Sequence, residues 1–507
     1  MSSLIAFLNR NRLRVAGTLA VLLFLIAAFN IFTTLGVSRI RSWDEARHGV
    51  SSCEMLETGN YIVNTYNYEP DYWNVKPILS FYNNMFGMAI FGKTVFGFRF
   101  FSALCYLLVA GLMFYLLWHE SGAPAALVGA AAFIVSPANA LHSFTTGDPD
   151  ATFMMFSTAA FVFLWLSARK GWMLSLAAMF LGLAFLAKSF HVGVPCMLAL
   201  IFVAIHWKRY SWRDYLLAAA AGMAPVLIWG AFRYSADGLK FFQSMVELDL
   251  LGRVSEEYSR EHAAQPWYVY FKQINHYLLF IPLGEIAAFI VLFCGFRGTR
   301  RFFASSGSLW KWAAFSFVFG FTAFSMCSVK LPWYVLPSFL YIPIMFGVFF
   351  QLACNWLTEE VDRKRGWKYM VMPLAMIGAS LVWLGVGEGK AIRNIVRVEP
   401  QRDVLTIDGN GETYRGGVFY CVDPEGNPNL PRQKHMLVFR LLDGHVVLED
   451  VESYRNATDQ SYLICSFDID DDDKRKDAEL LPDAERFAAE HSLRLISCVN
   501  GLALYSR

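Results

Sequence analysis

The stretch SWDEARHGVSSCEMLETGNYIVNTYNYEPDYWNVKPILSFYNNMF, residues 42–86, directly follows the first long apolar run of the chain. It begins with two adjacent carboxylates, Asp44 and Glu45, and it closes with Lys76-Pro77 and a run of aromatic residues. A charged, aromatic-rich loop backed by many hydrophobic segments is typical of a site at a membrane surface. We therefore expect the hydrophobic segments to hold the apolar part of a ligand and the loop to contact its polar part.

The amino-acid composition is that of an integral membrane protein. Hydrophobic residues make up 56% of the 507 residues and charged residues only 17%, whereas a soluble domain has about 25% charged residues. The pattern predicts a polytopic α-helical membrane protein with about 11–13 spans. The net charge of +2 gives no reason to expect a nucleic-acid partner, so membrane lipids are the expected surroundings. The apolar segments are 15–36, 97–118, 124–142, 151–168, 171–187, 191–206, 215–232, 274–295, 309–327, 334–355 and 368–386.

Basic residues indicate on which side of the membrane each connection lies. Arginine and lysine cluster in alternate turns, at 169–170, 208–213, 297–311 and 363–368. Cytoplasmic loops carry such an excess, so the other connections, including the first loop at 37–96, are predicted to lie outside the cytoplasm. Every candidate motif then falls on that one outer face.

The character of the sequence changes near residue 389. Residues 1–388 are predicted to form the transmembrane domain, and residues 389–507 a small α/β domain outside the membrane. Four short apolar runs in this second part, at 418–421, 435–441, 461–467 and 493–504, are separated by turn signals. Cys421, Cys465 and Cys498 could form one disulfide there, but the sequence does not select a pair.

Acidic residues near the membrane surface are candidates for proton transfer. Asp44 or Glu45 could accept a proton from an attacking hydroxyl group, or either could stabilise the start of a helix. Asp148, in Gly147-Asp-Pro-Asp150, could be a second carboxylate that faces the first loop, or the N-cap of a helix that begins at Pro149. The residues by themselves leave both interpretations open.

Basic and aromatic residues are candidates for anion binding. Lys76 and Arg47 could each bind a phosphate. A lysine near a membrane interface can also extend its side chain so that the ammonium group lies in water. Lys188 stands between two apolar runs with little room for a loop, which makes it a functional candidate. Tyr334 and Arg253 are candidates by position, but an interfacial aromatic belt and a solvated helix are the simpler interpretations.

Several motifs occur in the order in which a known family has them. They are Trp43-Asp-Glu-Ala-Arg-His48, Lys76-Pro77, Asp148-Pro149, Gly182-Leu-Ala-Phe-Leu-Ala-Lys188, Gln265-Pro-Trp-Tyr268 and Lys330-Leu-Pro-Trp-Tyr-Val-Leu-Pro337. On these motifs the chain up to Pro337 resembles the polyprenyl-phosphate-dependent glycosyltransferases with the C-type membrane fold. That group includes the lipid A aminoarabinose transferase and the protein O-mannosyltransferases.

The resemblance implies an inverting transfer of a sugar from a polyprenyl-phosphate donor to lipid A, lipopolysaccharide or another envelope glycan. It implies a multi-pass protein of the bacterial inner membrane with its site and C-terminal domain facing the periplasm. The catalytic acids that it implies are Asp44 and Asp148, and Glu45 stays a catalytic candidate because it lies beside Asp44. The donor-phosphate contacts are Arg47, Lys76, Arg253 and Tyr334, and Lys188 lies on the acceptor side.

Two positions depart from the aminoarabinose transferase. That enzyme has a glutamate and a histidine where this chain has Val75 and Leu250, and those two residues would be metal ligands. Glu69, Asp71 or His262 could replace them as ligands of a divalent metal ion, but with the expected ligands missing we expect no metal ion and no other cofactor.

Other functions are compatible with a polytopic chain. A protein O-glycosyltransferase would share the fold and differ in its acceptor. A lipid or sugar transporter (a flippase) would place ionisable groups near the membrane midplane, whereas here charges crowd one face and the spans are nearly free of them. A scaffold protein with a decayed site would not need the charged residues of the first loop. A transferase is therefore the function that we expect.

Overall fold

The structure, a computed structural model, describes residues 12–37, 40, 44–136, 143–252, 266–276, 308–361, 378–379, 381–390, 393, 411–429, 431–458, 460–467, 477–499 and 502–507. Up to residue 361 the described chain is almost entirely helical. The helices are α1 (Arg12–Thr34), α2 (Asp44–Thr58), α3 (Leu79–Phe91), α4 (Val95–Glu120), α5 (Ala123–Ile134), α6 (Asp150–Ser167), α7 (Met173–Lys188), α8 (Gly193–Ile205), α9 (Trp212–Asp237), α10 (Lys240–Met245), α11 (Val269–His276), α12 (Ser308–Met326), α13 (Leu336–Phe339) and α14 (Tyr341–Val361).

Three kinds of short element join these helices. A hairpin of two-residue strands, β1 (Thr65–Tyr66) and β2 (Glu69–Pro70), follows α2. Single turns of 3₁₀-helix lie at Ser189–Val192, Trp207–Arg209 and Pro332–Val335. A π-helical turn at Val246–Leu251 continues α10.

Six stretches among the described residues are long and apolar enough to cross a membrane. They are Leu13–Thr34, Val95–Glu120, Asp150–Ser167, Met173–Ile205, Trp212–Asp237 and Pro332–Gln351. The predicted spans at 274–295 and 368–386 lie for the most part outside the described residues, and of the span at 124–142 only residues 124–136 are described. The prediction of a polytopic α-helical membrane protein is confirmed, and the total number of spans stays a prediction.

The helices differ in how far they enter the apolar core. In Pro332–Gln351, 89% of the apolar window is buried, but in Trp212–Asp237 the figure is only 11%. The first therefore lies inside the bundle, and the second presents its side chains to lipid. Leu216, Leu227 and Ile228 of α9 are all more than half exposed, which is the expected state for a lipid-facing surface.

The C-terminal region forms a small domain around one sheet. Its elements are β3 (Val418–Val422), α15 (Gln433–Leu441), β4 (His445–Val447), α16 (Val451–Asn456), β5 (Ser461–Ser466), α17 (Asp477–Glu490), β6 (Arg494–Val499) and β7 (Leu502–Ser506). The strand order is β4-β3-β5-β7-β6, in which β4, β3 and β5 are parallel and β7 is antiparallel to both of its neighbours. The predicted α/β class is confirmed, and its boundary near residue 389 stays a prediction.

The structure decides two local features of this domain. The apolar run at 435–441 is a helix, whereas the other three runs form strands, because so short a run does not distinguish the two. Cys465 and Cys498 are both in register with Ala503, on opposite sides of β7. Two strand spacings of about 4.8 Å each separate them, which is too far for a disulfide, and all three cysteines of the domain are free.

Candidate active site

Helix α2 carries three residues of a pocket on one face. Asp44 is the first residue of the helix, and Arg47 and His48 follow three and four positions later. Residues at this spacing share a face of an α-helix. Asp44 is exposed, and its charge lies where the helix dipole stabilises it.

The loop after the β1–β2 hairpin supplies the facing residues. The carboxylate of Asp71 accepts hydrogen bonds from the backbone N–H groups of Trp73 at 2.9 Å and Asn74 at 3.2 Å. An Asp side chain that binds the backbone two residues later holds a tight turn. This turn fixes the direction in which the chain continues to Lys76.

These elements line one pocket together with the start of α6, the end of α7 and the turn at Tyr334. Its polar and charged walls come from parts of the chain that are up to 290 positions apart, and the apolar bundle lies beside it. The lining residues are Asp44, Arg47, His48, Trp73, Asn74, Lys76, Pro149, Asp150, Lys188 and Tyr334.

Arg47 is held by one carboxylate and two aromatic rings. Its Nε and Nη2 atoms donate to the two oxygens of Asp71 at 2.8 and 2.9 Å. The guanidinium also lies 4.3 Å from the ring centre of Tyr66 and 4.6 Å from that of Trp73. A planar guanidinium suits bidentate and stacked contacts better than an ammonium group does. Arg47 is therefore oriented before any ligand binds.

Lys76 is held by a residue far along the chain. Its Nζ atom lies 2.7 Å from each carboxylate oxygen of Asp249. Asp249 is buried in the π-helical turn and also accepts a hydrogen bond from the hydroxyl of Ser189. Such turns occur frequently at functional sites. The contact connects the first loop to the connection that follows α9.

Lys188 lies at the end of α7, and its ammonium group forms a buried ion pair with Asp150 at the start of α6. Its Nζ atom is also 5.3 Å from the ring centre of Tyr334. The ring of His191 packs edge-on against the same tyrosine, with 4.8 Å between ring centres. Lys188 is thus fixed between a carboxylate and a phenol ring at the pocket wall.

His48 is buried in the pocket wall in its neutral form. Its ring stacks on Phe81 with 3.8 Å between centres, and its Nδ1 atom faces the side-chain amide of Asn74 at 3.4 Å. Its Nε2 atom is buried and has no hydrogen-bond partner among the residues that the structure describes. Burial, with a smaller contribution from the charge of Lys76, lowers the pKa of His48 from 6.5 to about 3.

Two of the predicted acids do not line the pocket. Glu45 points away from Asp44 and accepts from Arg99 at 2.6 and 2.9 Å and from the backbone N–H of Gly147 at 2.9 Å. Both partners of this ion pair are at least 99% buried. Glu45 therefore connects α2 to α4 and to the chain that enters α6.

Asp148 is buried behind the pocket wall. Its carboxyl group accepts from the hydroxyl of Thr146 at 2.8 Å and from the backbone N–H of Asp150 at 3.4 Å. Helix α6 begins at Asp150, so the N-cap position belongs to Pro149. Burial, together with the nearby charge of Asp150, raises the pKa of Asp148 well above its usual range. The protonated form is therefore favoured.

The predicted residues thus fall into three groups. Asp44, Arg47, Lys76, Lys188 and Tyr334 line one pocket, Glu45 and Asp148 support it from behind, and Arg253 lies outside the described residues. Sequence reasoning missed the site roles of Asp71, Asp249 and His48. Asp71 could have been found from the sequence, because it is an acid at the start of the loop that leads to Lys76. Asp249 could not, because it is one of many charged residues in a polar connection.

The charges of this site are largely paired. Each of the three cations of the pocket has a carboxylate partner, and within the described part of the chain Asp44 is in no ion pair. Oriented cations can hold an anion, and a carboxylate outside those pairs can accept a proton. No group of three or more metal-ligating side chains is found among the described residues, and the expectation that the site works without a metal stays a prediction.

Comparisons with known proteins agree with this architecture. A family described as dolichyl-phosphate-mannose-protein mannosyltransferase matches residues 75–229. An undecaprenyl phosphate-alpha-4-amino-4-deoxy-L-arabinose arabinosyl transferase of Pseudomonas fluorescens is 26% identical over 347 residues, which are 64% of this chain and 58% of the relative. The enzyme of that name from Edwardsiella ictaluri is 27% identical over 61% of this chain and 55% of its own. The chain thus matches less than two thirds of the length of these relatives.

The overall architecture is shared with a solved structure. ArnT from Cupriavidus metallidurans, in the apo state, superimposes with a TM-score of 0.66 at 15% identity, over 97% of this chain and 98% of that one. ArnT bound to undecaprenyl phosphate gives the same TM-score over 96% and 97% of the two chains. The C-type membrane fold and the resemblance to the polyprenyl-phosphate-dependent glycosyltransferases are confirmed.

Proposed function

We propose that this chain is an inverting glycosyltransferase that moves a sugar from a polyprenyl-phosphate donor to an envelope acceptor, lipid A or another glycan. The observation that carries the proposal is the shared pocket of Asp44, Arg47 and Lys76 beside an apolar helix bundle. A donor with a phosphate group on a long apolar chain matches both parts of that arrangement.

The proposed reaction makes one bond and breaks one. An acceptor oxygen bonds to the anomeric carbon of the sugar while the bond from that carbon to the phosphate oxygen breaks. The electron pair of the broken bond leaves with polyprenyl phosphate, and the proton of the acceptor passes to a base. Because the leaving phosphate gains a negative charge, fixed cations stabilise the transition state more than the ground state.

We assign the base to Asp44. It lies in the pocket wall, it is exposed, and the ion pairs within the described part of the chain do not include it. An accessible carboxylate can take the proton of an attacking hydroxyl group. Glu45 is bound by Arg99 and serves instead to hold α2 in place.

The remaining roles follow from charge and position. Arg47, Lys76 and Tyr334 bind the donor phosphate, since each lines the pocket and has a side chain that carries N–H or O–H donors. Lys188 with Asp150 contacts the acceptor. Asp148 supplies a protonated second acid behind them, and a phosphate contact from Arg253 stays a prediction.

The relatives support the class of donor. They are named as undecaprenyl phosphate-sugar transferases, and ArnT of the same fold has been crystallised with undecaprenyl phosphate. The clustering of basic residues in alternate connections supports a periplasmic orientation of the pocket. The family description that names protein mannosyltransferases keeps a protein acceptor as the second candidate.

Mass spectrometry of envelope lipids and glycans tests the proposal. Cells that lack the gene should lose one product that is heavier than its precursor by one pentose- or hexose-sized unit. Wild-type protein should restore this product, and the Asp44→Asn variant, present at the same level in the membrane, should not. Identical lipids and glycans in all strains would contradict a transferase, and a mass difference on protein alone would favour the second candidate.

A further inference from the structure

A buried arginine of the C-terminal domain contacts helix α2. Arg440 on α15 donates from Nε to Oε1 of Glu54 on α2 at 2.9 Å, and both side chains are completely buried. Helix α2 is the helix that carries Asp44 and Arg47. The domain is therefore in direct contact with the element on which the site is built.

Glu54 also fixes the hairpin that leads into the pocket loop. Its second oxygen, Oε2, accepts from the hydroxyl of Thr65 at 2.8 Å and from the backbone N–H of Tyr68 at 3.0 Å. Arg440 reaches the same hairpin directly, since it donates to Oδ1 of Asn67 at 3.2 Å and lies 4.3 Å from the ring centre of Tyr68. One ion pair thus joins α2, the hairpin and the C-terminal domain.

The hairpin in turn is coupled to the pocket by hydrogen bonds. The side-chain amide of Asn64, directly before β1, donates to the backbone oxygens of Asp71 at 3.2 Å and Asn74 at 3.1 Å. Asp71 is the partner of Arg47 and organises the turn that leads to Lys76. A displacement of the hairpin would therefore move Arg47 and the loop that carries Lys76, the two cations that are proposed to bind the donor phosphate.

Further contacts keep the domain in one orientation on α2. Lys93 bridges Glu57 of α2 at 2.6 Å and Asp443 of the domain at 2.7 Å. The side chain of Leu437 packs so closely on Gly49 that a methyl group there would lie 2.6 Å from it. Ala46, Val50 and Cys53 of α2 share one apolar core with the strands and α15 of the domain.

We propose that Arg440 is a positioning residue for the pocket and that the C-terminal domain is a structural part of the site rather than an appended binding module. A hydrophobic side chain could fill the same space, but it would not impose the directional hydrogen bonds that an ion pair requires. The inference rests on the proposed function for its kinetic consequence only, because the order of the loop can be measured without any substrate.

Hydrogen–deuterium exchange of the full-length protein in detergent provides that measurement. In Arg440→Met, exchange at residues 65–76 should rise about tenfold, while strands β3 and β5 stay protected. In the same variant, kcat/KM for the polyprenyl-phosphate sugar donor should fall about tenfold or more, mainly through the KM of the donor. Arg440→Lys, which keeps the charge but not the forked geometry, should restore part of both losses.

The matched control is Arg486→Met. Arg486 lies on α17 of the same domain and pairs with Asp483 at 3.6 Å, but its side chain is 69% exposed, so exchange at 65–76 should not change. If Arg440→Met does not fold, Glu54→Gln combined with Arg440→Met removes both buried charges and is subject to the same two readings. Unchanged exchange and turnover in a folded variant would overturn the proposal. If the wild-type protein transfers no sugar but exchange at 65–76 still rises in Arg440→Met, the positioning role is supported and only the proposed function is contradicted.

Discussion

The Nζ atom of Lys76 lies 2.7 Å from both carboxylate oxygens of Asp249, a residue 173 positions later in the chain. The contact fixes a pocket cation by an acid from a different connection. It illustrates how the site is built throughout, since Arg47 and Lys188 are also held by carboxylates. Cations that are oriented in advance do not have to reorganise when a phosphate binds.

Replacing Asp249 with Asn should weaken donor binding. The amide keeps one acceptor but loses the charge that orients Lys76, so we expect the KM for the donor to rise about tenfold with a smaller change in kcat. Steady-state kinetics on reconstituted protein would measure this. Glu120→Gln is the control, because Glu120 pairs with an arginine that is 61% exposed. A lower KM would instead identify Asp249 as a competitor of the phosphate.

Replacing Asp44 with Asn should slow turnover strongly without unfolding the protein. The amide cannot accept a proton from the acceptor, so kcat should fall by about 10²–10⁴-fold, whereas the start of α2 tolerates Asn well. Turnover and the melting temperature should be measured on the same preparation. Full activity of the folded variant would refute the assignment of Asp44 as the base.

Replacing Glu45 with Gln should instead destabilise the protein. Glu45 forms a buried ion pair with Arg99, and removal of one partner of such a pair costs about 3–5 kcal/mol of folding free energy. A reduced melting temperature and a lower yield of monodisperse protein should therefore precede any loss of activity. A variant that has the wild-type melting temperature but is inactive would contradict this structural role and support a catalytic role for Glu45.

Acidification should destabilise the protein through His48. Its pKa is about 3 in the folded state and near 6.5 when exposed, so between these values only the unfolded chain binds the proton. The free energy of unfolding should then fall by up to about 1.4 kcal/mol for each pH unit below 6.5. The difference between the melting temperatures at about pH 7.5 and pH 5 should be smaller in the His48→Gln variant than in the wild-type protein. An equal acid-induced drop in both proteins would contradict the neutral state of His48.

Replacing Gly49 with Ala should loosen the C-terminal domain from α2. The new methyl group would lie 2.6 and 2.7 Å from the two methyl carbons of Leu437 and 3.0 Å from Phe98, and such overpacking costs about 1–3 kcal/mol. Gly111→Ala is the control, because nothing lies within 4 Å of the added methyl group in α4. Thermal unfolding of both variants would test this, and equal melting temperatures would contradict the close contact.

Much of the site could be predicted from local patterns. The apolar runs predict membrane helices because a segment that crosses lipid must have apolar side chains and must satisfy its backbone hydrogen bonds internally. Asp44, Lys76, Lys188 and Tyr334 were predicted because each lies at the end of an apolar run or in a recurrent motif, and the pocket contains all four. The role of Glu45 could not be predicted in this way, since a neighbouring residue on a helix is rotated by about 100° and meets a different part of the protein.

The sequence by itself therefore determined that this is a polytopic membrane protein, which residues are candidates for its site, and that a separate α/β domain follows. These properties depend on local composition and periodicity, which need no knowledge of distant contacts. Only the tertiary structure decided that Lys76 meets Asp249, that Glu45 is buried against Arg99, and that the C-terminal domain binds the helix of Asp44. Ion-pair partners are selected by the directions in which packed helices present their side chains, and residues distant in sequence become neighbours only through that packing.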